Sequence, residues 1–171
     1  MPSVWSSPKT WSVGELVTAA LLNSHLRDNF DFIKTPPTAL YILNESSDYT
    51  TTSTSFVNVD GAKLALTITT AGGDVLVGFC GSILQSAATV FFDVEVDGSR
   101  TAGDDGLCVI TPSTASARMN ATCFKLIQGL SSGLHTFKLQ WKVNSGTATL
   151  FAGAGTANGD IHPQFFVREV S

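Results

Sequence analysis

From residue 39 onward, apolar and polar residues alternate with a period of two, as in strands with one face on a core and the other on water. The clearest run is 135–143, where His135, Phe137, Leu139, Trp141 and Val143 alternate with Thr136, Lys138, Gln140 and Lys142. Leu64, Leu66 and Ile68 share one face of 63–70, and Val75, Val77 and Phe79 share one face of 74–83. Val90, Phe92, Val94 and Val96 do the same in 88–96, and Phe165, Val167 and Glu169 in 163–170. Weaker runs at 39–43, 56–59, 107–110, 119–127 and 147–151 bring the set to about eight to ten strands. Turn chemistry separates them at Asp60-Gly61, Ala71-Gly72-Gly73, Asp97-Gly98 and Ser145-Gly146. The segments 44–54, 99–106, 111–117 and 153–159 read as loops. In 88–96 the polar face grows more charged toward Asp97, so that end is expected in solvent. The pattern predicts a mainly β protein, an antiparallel jelly-roll β-sandwich. No Cys–Trp–Cys spacing supports an immunoglobulin-type sandwich.

Ahead of the strands the period changes. Residues 11–34 carry the one helical pattern, with a Ser12–Glu15 capping box and a second cap at Thr18. Ala19, Leu22, Leu26, Asn29 and Ile33 alternate in steps of three and four, a heptad seam. A helix of this length is marginal alone. Its stripe therefore packs either on its own domain or on the helix of another copy, where Asn29 sets the register. Pro36-Pro37 ends the helix and forms a stiff connector, which divides the chain into 1–38 and 39–171. The first ten residues have no period and read as an extended arm. Trp5 and Trp11 are large aromatics of the kind that anchor interfaces, and they predict an arm docked on a neighbouring protein.

Composition narrows the function classes. The chain has 171 residues, 43% hydrophobic and 14% charged, which fits a subunit that buries area against other copies or a host surface. A net charge of −4 and a pI near 5.2 lack the footprint of a nucleic-acid binder. The N-terminal residues show no signal-peptide pattern, and no apolar run reaches the roughly 20 residues of a membrane span. The expectation is a soluble protein made in a cytosol. Cys80, Cys108 and Cys123 have neither disulfide-framework nor zinc spacing and are expected as buried free thiols.

The run from Thr10 to Lys34 resembles an N-terminal segment of tailed-bacteriophage virion structural proteins. The matching residues are Trp11, Gly14, Glu15, Thr18, Ala19, Ala20, Leu22, Asn23, Leu26, Arg27, Asp28, Asn29 and Phe30. Such segments precede different C-terminal domains on head fibres, capsid-decoration proteins and tail fibres. The C-terminal stretch SSGLHTFKLQWKVNSGTATL and the closing FFVREVS resemble the last strands of phage jelly-roll domains. These are similar in layout to trimer heads of the tumour-necrosis-factor and C1q type. The resemblance implies a homotrimer carried in the virion, with Trp5, Trp11, Leu22, Leu26, Asn29, Phe30 and Ile33 at protein interfaces.

Catalytic chemistry finds no template. There is no G-x-S-x-G elbow, and His25, His135 and His162 lack metal-ligand spacing. Asp97 with Asp104-Asp105-Gly106 falls short of a calcium loop, and nothing calls for a cofactor. Asp93 and Glu95 share a strand face, about 7 Å apart, without aromatic platforms around them. Two binding roles remain. In one, arm and helix grip a capsid protein and the β-domain decorates it. In the other, the N-terminal part attaches to a tail and loops of the β-domain read a host surface, through Asp104, Asp105, Ser113 and Asn158. The loops 99–106, 111–117 and 153–159 lack aromatics, which favours decoration.

Overall fold

The computed structural model describes residues 5–86, 89–111, 114, 116–155 and 160–170. Within them the alternating runs become two antiparallel sheets packed face to face. One sheet holds β1 (Thr38–Ile42), β12 (Gln164–Glu169), β5 (Gly73–Gln85) and β9 (Arg118–Leu130), in that order. β11 (Ala148–Leu150) and β2 (Tyr49–Thr51) extend it beyond the far half of β5. The other centres on β10 (Gly133–Val143), with β3 (Val57–Asn58) and β4 (Ala65–Thr70) on one side and β6 (Val90–Val96) on the other. β7 (Ser99–Arg100) and β8 (Cys108–Ile110) pair with the outer side of β6. Consecutive strands mostly fall in opposite sheets, and the layout is a jelly-roll sandwich.

The core is the set of inward faces that the period predicts. Leu64, Val75, Phe79, Val90, Phe92, Phe137, Leu139, Val143, Phe165 and Val167 are buried between the sheets. Phe92 stacks obliquely on Phe79 at 5.2 Å and on Trp141 at 6.2 Å, which locks the sheets together at mid-height.

Several expectations need correction. The stretch 44–54 is not all loop, because the short strand β2 pairs with β11 from Tyr49↔Leu150 to Thr51↔Ala148. Segment 99–106 likewise begins with β7. Cys80 is exposed, Cys108 half-buried and Cys123 buried, so the three thiols do not share the expected burial. Asp93 lies on the outward face of β6 yet is fully buried, because the segment after β7 folds back over it.

The helix starts later than its sequence pattern suggests. Residues 11–18 are not helical. Ser12 and Glu15 close an isolated turn, with the Glu15 N–H on Ser12 O at 3.1 Å and the Ser12 N–H on Glu15 Oε2 at 3.2 Å. Gly14 occupies the left-handed region there (φ +81), which stops a helix from continuing. Thr18, extended at φ −94, is the working cap and accepts from the Leu21 N–H at 3.3 Å. From it α1 (Ala19–Leu22), a π-turn (Asn23–Arg27) and α2 (Asp28–Lys34) run on without a break. In the π-turn the Asp28 N–H reaches back to Asn23 O. The wider turn holds about one extra residue and shifts the face that follows it. As a result Asn29 leaves the predicted seam, and Phe30 takes its place beside Leu22, Leu26 and Ile33.

Candidate assembly surface and polar cleft

The turned face of the helix receives the arm. Asn29, buried, clamps the arm backbone: the Ser6 N–H donates to Asn29 Oδ1 at 2.9 Å and Asn29 Nδ2 donates to Ser6 O at 2.8 Å. Trp5 packs on Phe32 with ring centroids 5.9 Å apart. His25 Nδ1 meets Ser7 O at 3.1 Å, and its ring meets Trp11 edge-on at 6.4 Å. Lys9 lies over Trp11 and pairs with Glu15, whose carboxyl is held below its ordinary range by that ammonium and by the Ser12 N–H. The arm is therefore bound along its own helix, and Trp5 and Trp11 each keep 37% of their surface exposed. Asn29 serves that contact and not a heptad register.

The opposite face of the helix is uncovered. Leu22, Leu26, Phe30 and Ile33 all lie exposed, and Val13 and Leu16 project from the turn before it. Ile33 borders a cleft of about 570 Å³ between helix and sandwich, which Trp5, Phe32, Leu76, Arg168 and Val170 also line.

Leu76 links that cleft to the outer face of the β1-β12-β5-β9 sheet. Register places Leu40, Phe166, Gly78 and Phe124 side by side across its four strands. The neighbouring rows are Thr38, Arg168, Leu76, Leu126 and Ile42, Gln164, Cys80, Thr122. Of these positions only Arg168 is charged. Phe124 is 61% exposed, Leu40 52%, Ile42 46% and Leu126 45%, so among the described residues nothing covers this face. Gly78 makes its flatness possible. A Cβ there would stand 2.3 Å from Phe166 Cε1 and 2.8 Å from Phe124 Cε1, and without it the two rings close over the strand at 6.2 Å. At ordinary strand spacing the patch covers on the order of 400 Å², the size of the largest patch on a typical monomer, which is often functional.

The outer face of the other sheet is polar. Lys138 pairs with Glu95 at 2.8 Å, and Gln140 Nε2 donates to Glu95 Oε2 at 2.6 Å and Asn58 Oδ1 at 3.1 Å. Asp93 keeps a hydrogen bond from the Val94 N–H at 2.7 Å and faces Arg100 at 3.4 Å. Burial pushes its carboxyl up against the pull of those two partners. A second cleft, about 480 Å³, opens here between Thr54–Phe56 and Asp104, with Arg100, Gln140 and Lys142 inside it.

The predicted loop residues separate. Asp104 and Asp105 are exposed beside this second cleft, whereas Ser113 and Asn158 lie outside the described residues. The aromatic that faces the cleft is Phe56, from the segment before β3 and not from any of the three candidate loops. The histidines lie apart. His135 meets Asp97, His162 meets Leu43 O at 2.9 Å, and no group of three metal-ligating side chains gathers among the described residues.

No known family model matches the chain, and no characterised protein matches it in sequence. Among solved structures, dimeric latent PorU from Porphyromonas gingivalis is similar over 78% of this chain, at 10% identity and a TM-score of 0.35. The infectious bursal disease virus Gx strain structure is similar over 78% as well, at 14% identity and a TM-score of 0.28. This chain spans 13% of the first and 37% of the second, and neither likeness bears on function.

Proposed function

We propose that the protein is a non-enzymatic virion structural subunit of a tailed bacteriophage, a homotrimer that decorates the capsid surface. The observation that carries the reading is a pair of exposed apolar surfaces, the helix stripe Leu22, Leu26, Phe30 and Ile33 and the sheet face of Leu40, Phe166 and Phe124, which meet at the cleft that Ile33 and Leu76 both line. With one charge in its three sheet rows, this surface offers little to a charged partner and matches best a second apolar surface of the same kind. Other copies of the chain supply one. The resemblance of 10–34 and of the last strands to phage virion proteins supports the particle and the trimer. Burial at about 25 cal/mol per Å², less the costs of association, drives the contact. Val13 and Leu16, exposed beyond the helix, are then free for the capsid protein.

The test is the mass in solution, followed by binding to undecorated capsids. A trimer that falls to monomer on Phe124→Asp and on Leu26→Asp, and wild-type protein that saturates capsids at a symmetric stoichiometry, is the expected result. A monomeric wild type that leaves capsids bare overturns it. A tail-fibre role, with the β-domain reading a host surface, is favoured by the polar cleft around Arg100 and Lys142. Saturable binding to host cells in place of capsids selects it.

A further inference from the structure

We infer that the cleft formed by Thr54, Ser55, Phe56, Arg100, Gln140 and Lys142 is a binding site for a sugar that carries a single carboxylate. Gln140 forms its floor. The residue is 7% exposed, and both contacts of its amide nitrogen lie outside the cleft, on Asn58 and Glu95. Its Oε1 is buried and has no hydrogen-bond donor among the described residues. A buried amide oxygen left this way is costly, and a hydroxyl or N–H entering the cleft relieves it.

The walls ask for the opposite chemistry. Arg100 lies over the Phe56 ring at 4.3 Å and Lys142 over the same ring at 4.8 Å, with Lys142 also 4.8 Å from Phe91. These rings hold two cations beside the same space. Asp93, at 3.4 Å, occupies one edge of the guanidinium and leaves its other donors for a ligand. Lys142 donates to Asp104 O at 2.5 Å and stands 3.7 Å from the exposed Asp105 carboxylate. Thr54 and Ser55 add side-chain hydroxyls at the rim.

Gly106 sets the loop that forms one rim. It sits at φ +73, and a Cβ there would stand 2.4 Å from Phe92 O and 2.9 Å from Phe56 Cζ. Only a glycine lets the loop lie this close to the sheet and bring Asp104 to the opening.

The ligand must therefore donate to Gln140 Oε1 and place one anionic group between Arg100 and Lys142. Asp104 and Asp105 at the edge disfavour more negative charge. A carboxylate without hydroxyls leaves Gln140 Oε1 without a donor, and a neutral sugar brings no anion to Arg100 and Lys142 beyond the acidic groups already beside them. A uronic or sialic acid satisfies both, and a cleft of about 480 Å³ lies within the usual range for small-molecule sites. The proposal does not rest on where the subunit sits on a particle.

The test uses the full chain and ligand-observed NMR with sodium glucuronate, galacturonate and N-acetylneuraminate, against glucose and sodium acetate. At least one of the three acids should bind saturably, about tenfold tighter than glucose or acetate. Gln140→Leu and Lys142→Gln should each weaken it by about tenfold or more, with the Lys142 variant still melting cooperatively. If Gln140→Leu does not fold, Thr54→Val and Lys142→Gln carry the test. No binding by any of the acids, equal binding of acetate, or binding that survives the Lys142 change overturns the proposal.

Discussion

His135 Nδ1 lies 2.7 Å from Asp97 Oδ2 and Nε2 lies 2.9 Å from Ser131 O, so two acceptors favour the protonated, doubly donating imidazole. The bond to Asp97 raises the pKa of the ring although burial opposes it. Burial likewise works against Asp97, yet the Thr136 N–H and His135 hold its carboxyl below the ordinary value. The pair joins the β6–β7 turn to the start of β10.

Stability should follow from these two shifts. The His135 contribution is complete below its unfolded value of about 6.5 and is lost as pH rises through the raised folded value. The Asp97 contribution is present above about 3.9 and is lost as pH falls through the depressed folded value. The melting temperature should therefore plateau between about pH 4 and 6.5 and fall on both sides. With Asp97 half exposed, the loss is on the order of 1 kcal/mol. His135→Gln should remove most of the alkaline fall, and an identical alkaline slope in wild type and variant would show that the pair is not its source.

Glu169 should be less tolerant. It is fully buried, and its carboxylate accepts the Ala71 N–H at 2.9 and 3.1 Å and the Gly72 N–H at 3.2 Å, tying the last strand to the β4–β5 turn. Glu169→Ala leaves both donors buried without a partner, at a cost of about 1–3 kcal/mol or more because the acceptor is charged. Glu169→Gln keeps the shape and one acceptor and should cost less. Urea denaturation that ranks wild type, Gln and Ala in that order supports the clamp, and equal midpoints for Ala and wild type rule it out.

These two carboxylates show where the sequence stops being legible. The strands of the core could be read because alternation reports burial directly, as at Phe137, Leu139 and Trp141. Glu169 falls on the inward face of its run, but nothing local reveals the N–H groups at Ala71 and Gly72 that make its burial possible. Asp93 reads as an outward residue and is buried by a loop whose course Gly106 decides. The apolar row Leu40–Phe166–Gly78–Phe124 joins four strands from distant parts of the chain, so only register assembles it. The helix shows a different limit. One π-turn exchanges Asn29 for Phe30 on the outer stripe, a shift that heptad counting does not register.

The thiols should separate by rate. Cys80 is exposed on the apolar sheet face, whereas burial pushes Cys108 up and holds Cys123 at about 12. A maleimide near pH 7 should modify one thiol of the native protein, at Cys80, and the other two only on unfolding. Because Cys80 lies in the row beside Phe124 and Phe166, labelling should slow in the assembled protein. Faster modification of Cys108 or Cys123 than of Cys80 would contradict the burial order.

Removal of the N-terminal part tests how far the sandwich stands alone. The arm and helix are bound chiefly to each other, through Asn29 on Ser6 and Trp5 on Phe32. Their link to the sheets is the cleft at Leu76, Arg168 and Val170, together with the Glu169 N–H on Pro37 O at 3.0 Å. None of these residues except Leu76 and Val170 carries apolar area from the sandwich, and both stay at its surface. A chain beginning at Pro36 keeps the Pro37 bond and every strand pairing, so it should melt cooperatively, within about 1–2 kcal/mol of the full chain. It should also lose the oligomer if the helix stripe contributes to assembly, which a mass measurement on the same sample reads. A broad, non-cooperative melt would mean that Trp5 and Phe32 complete the core of the sandwich and that helix and sheets fold as one unit.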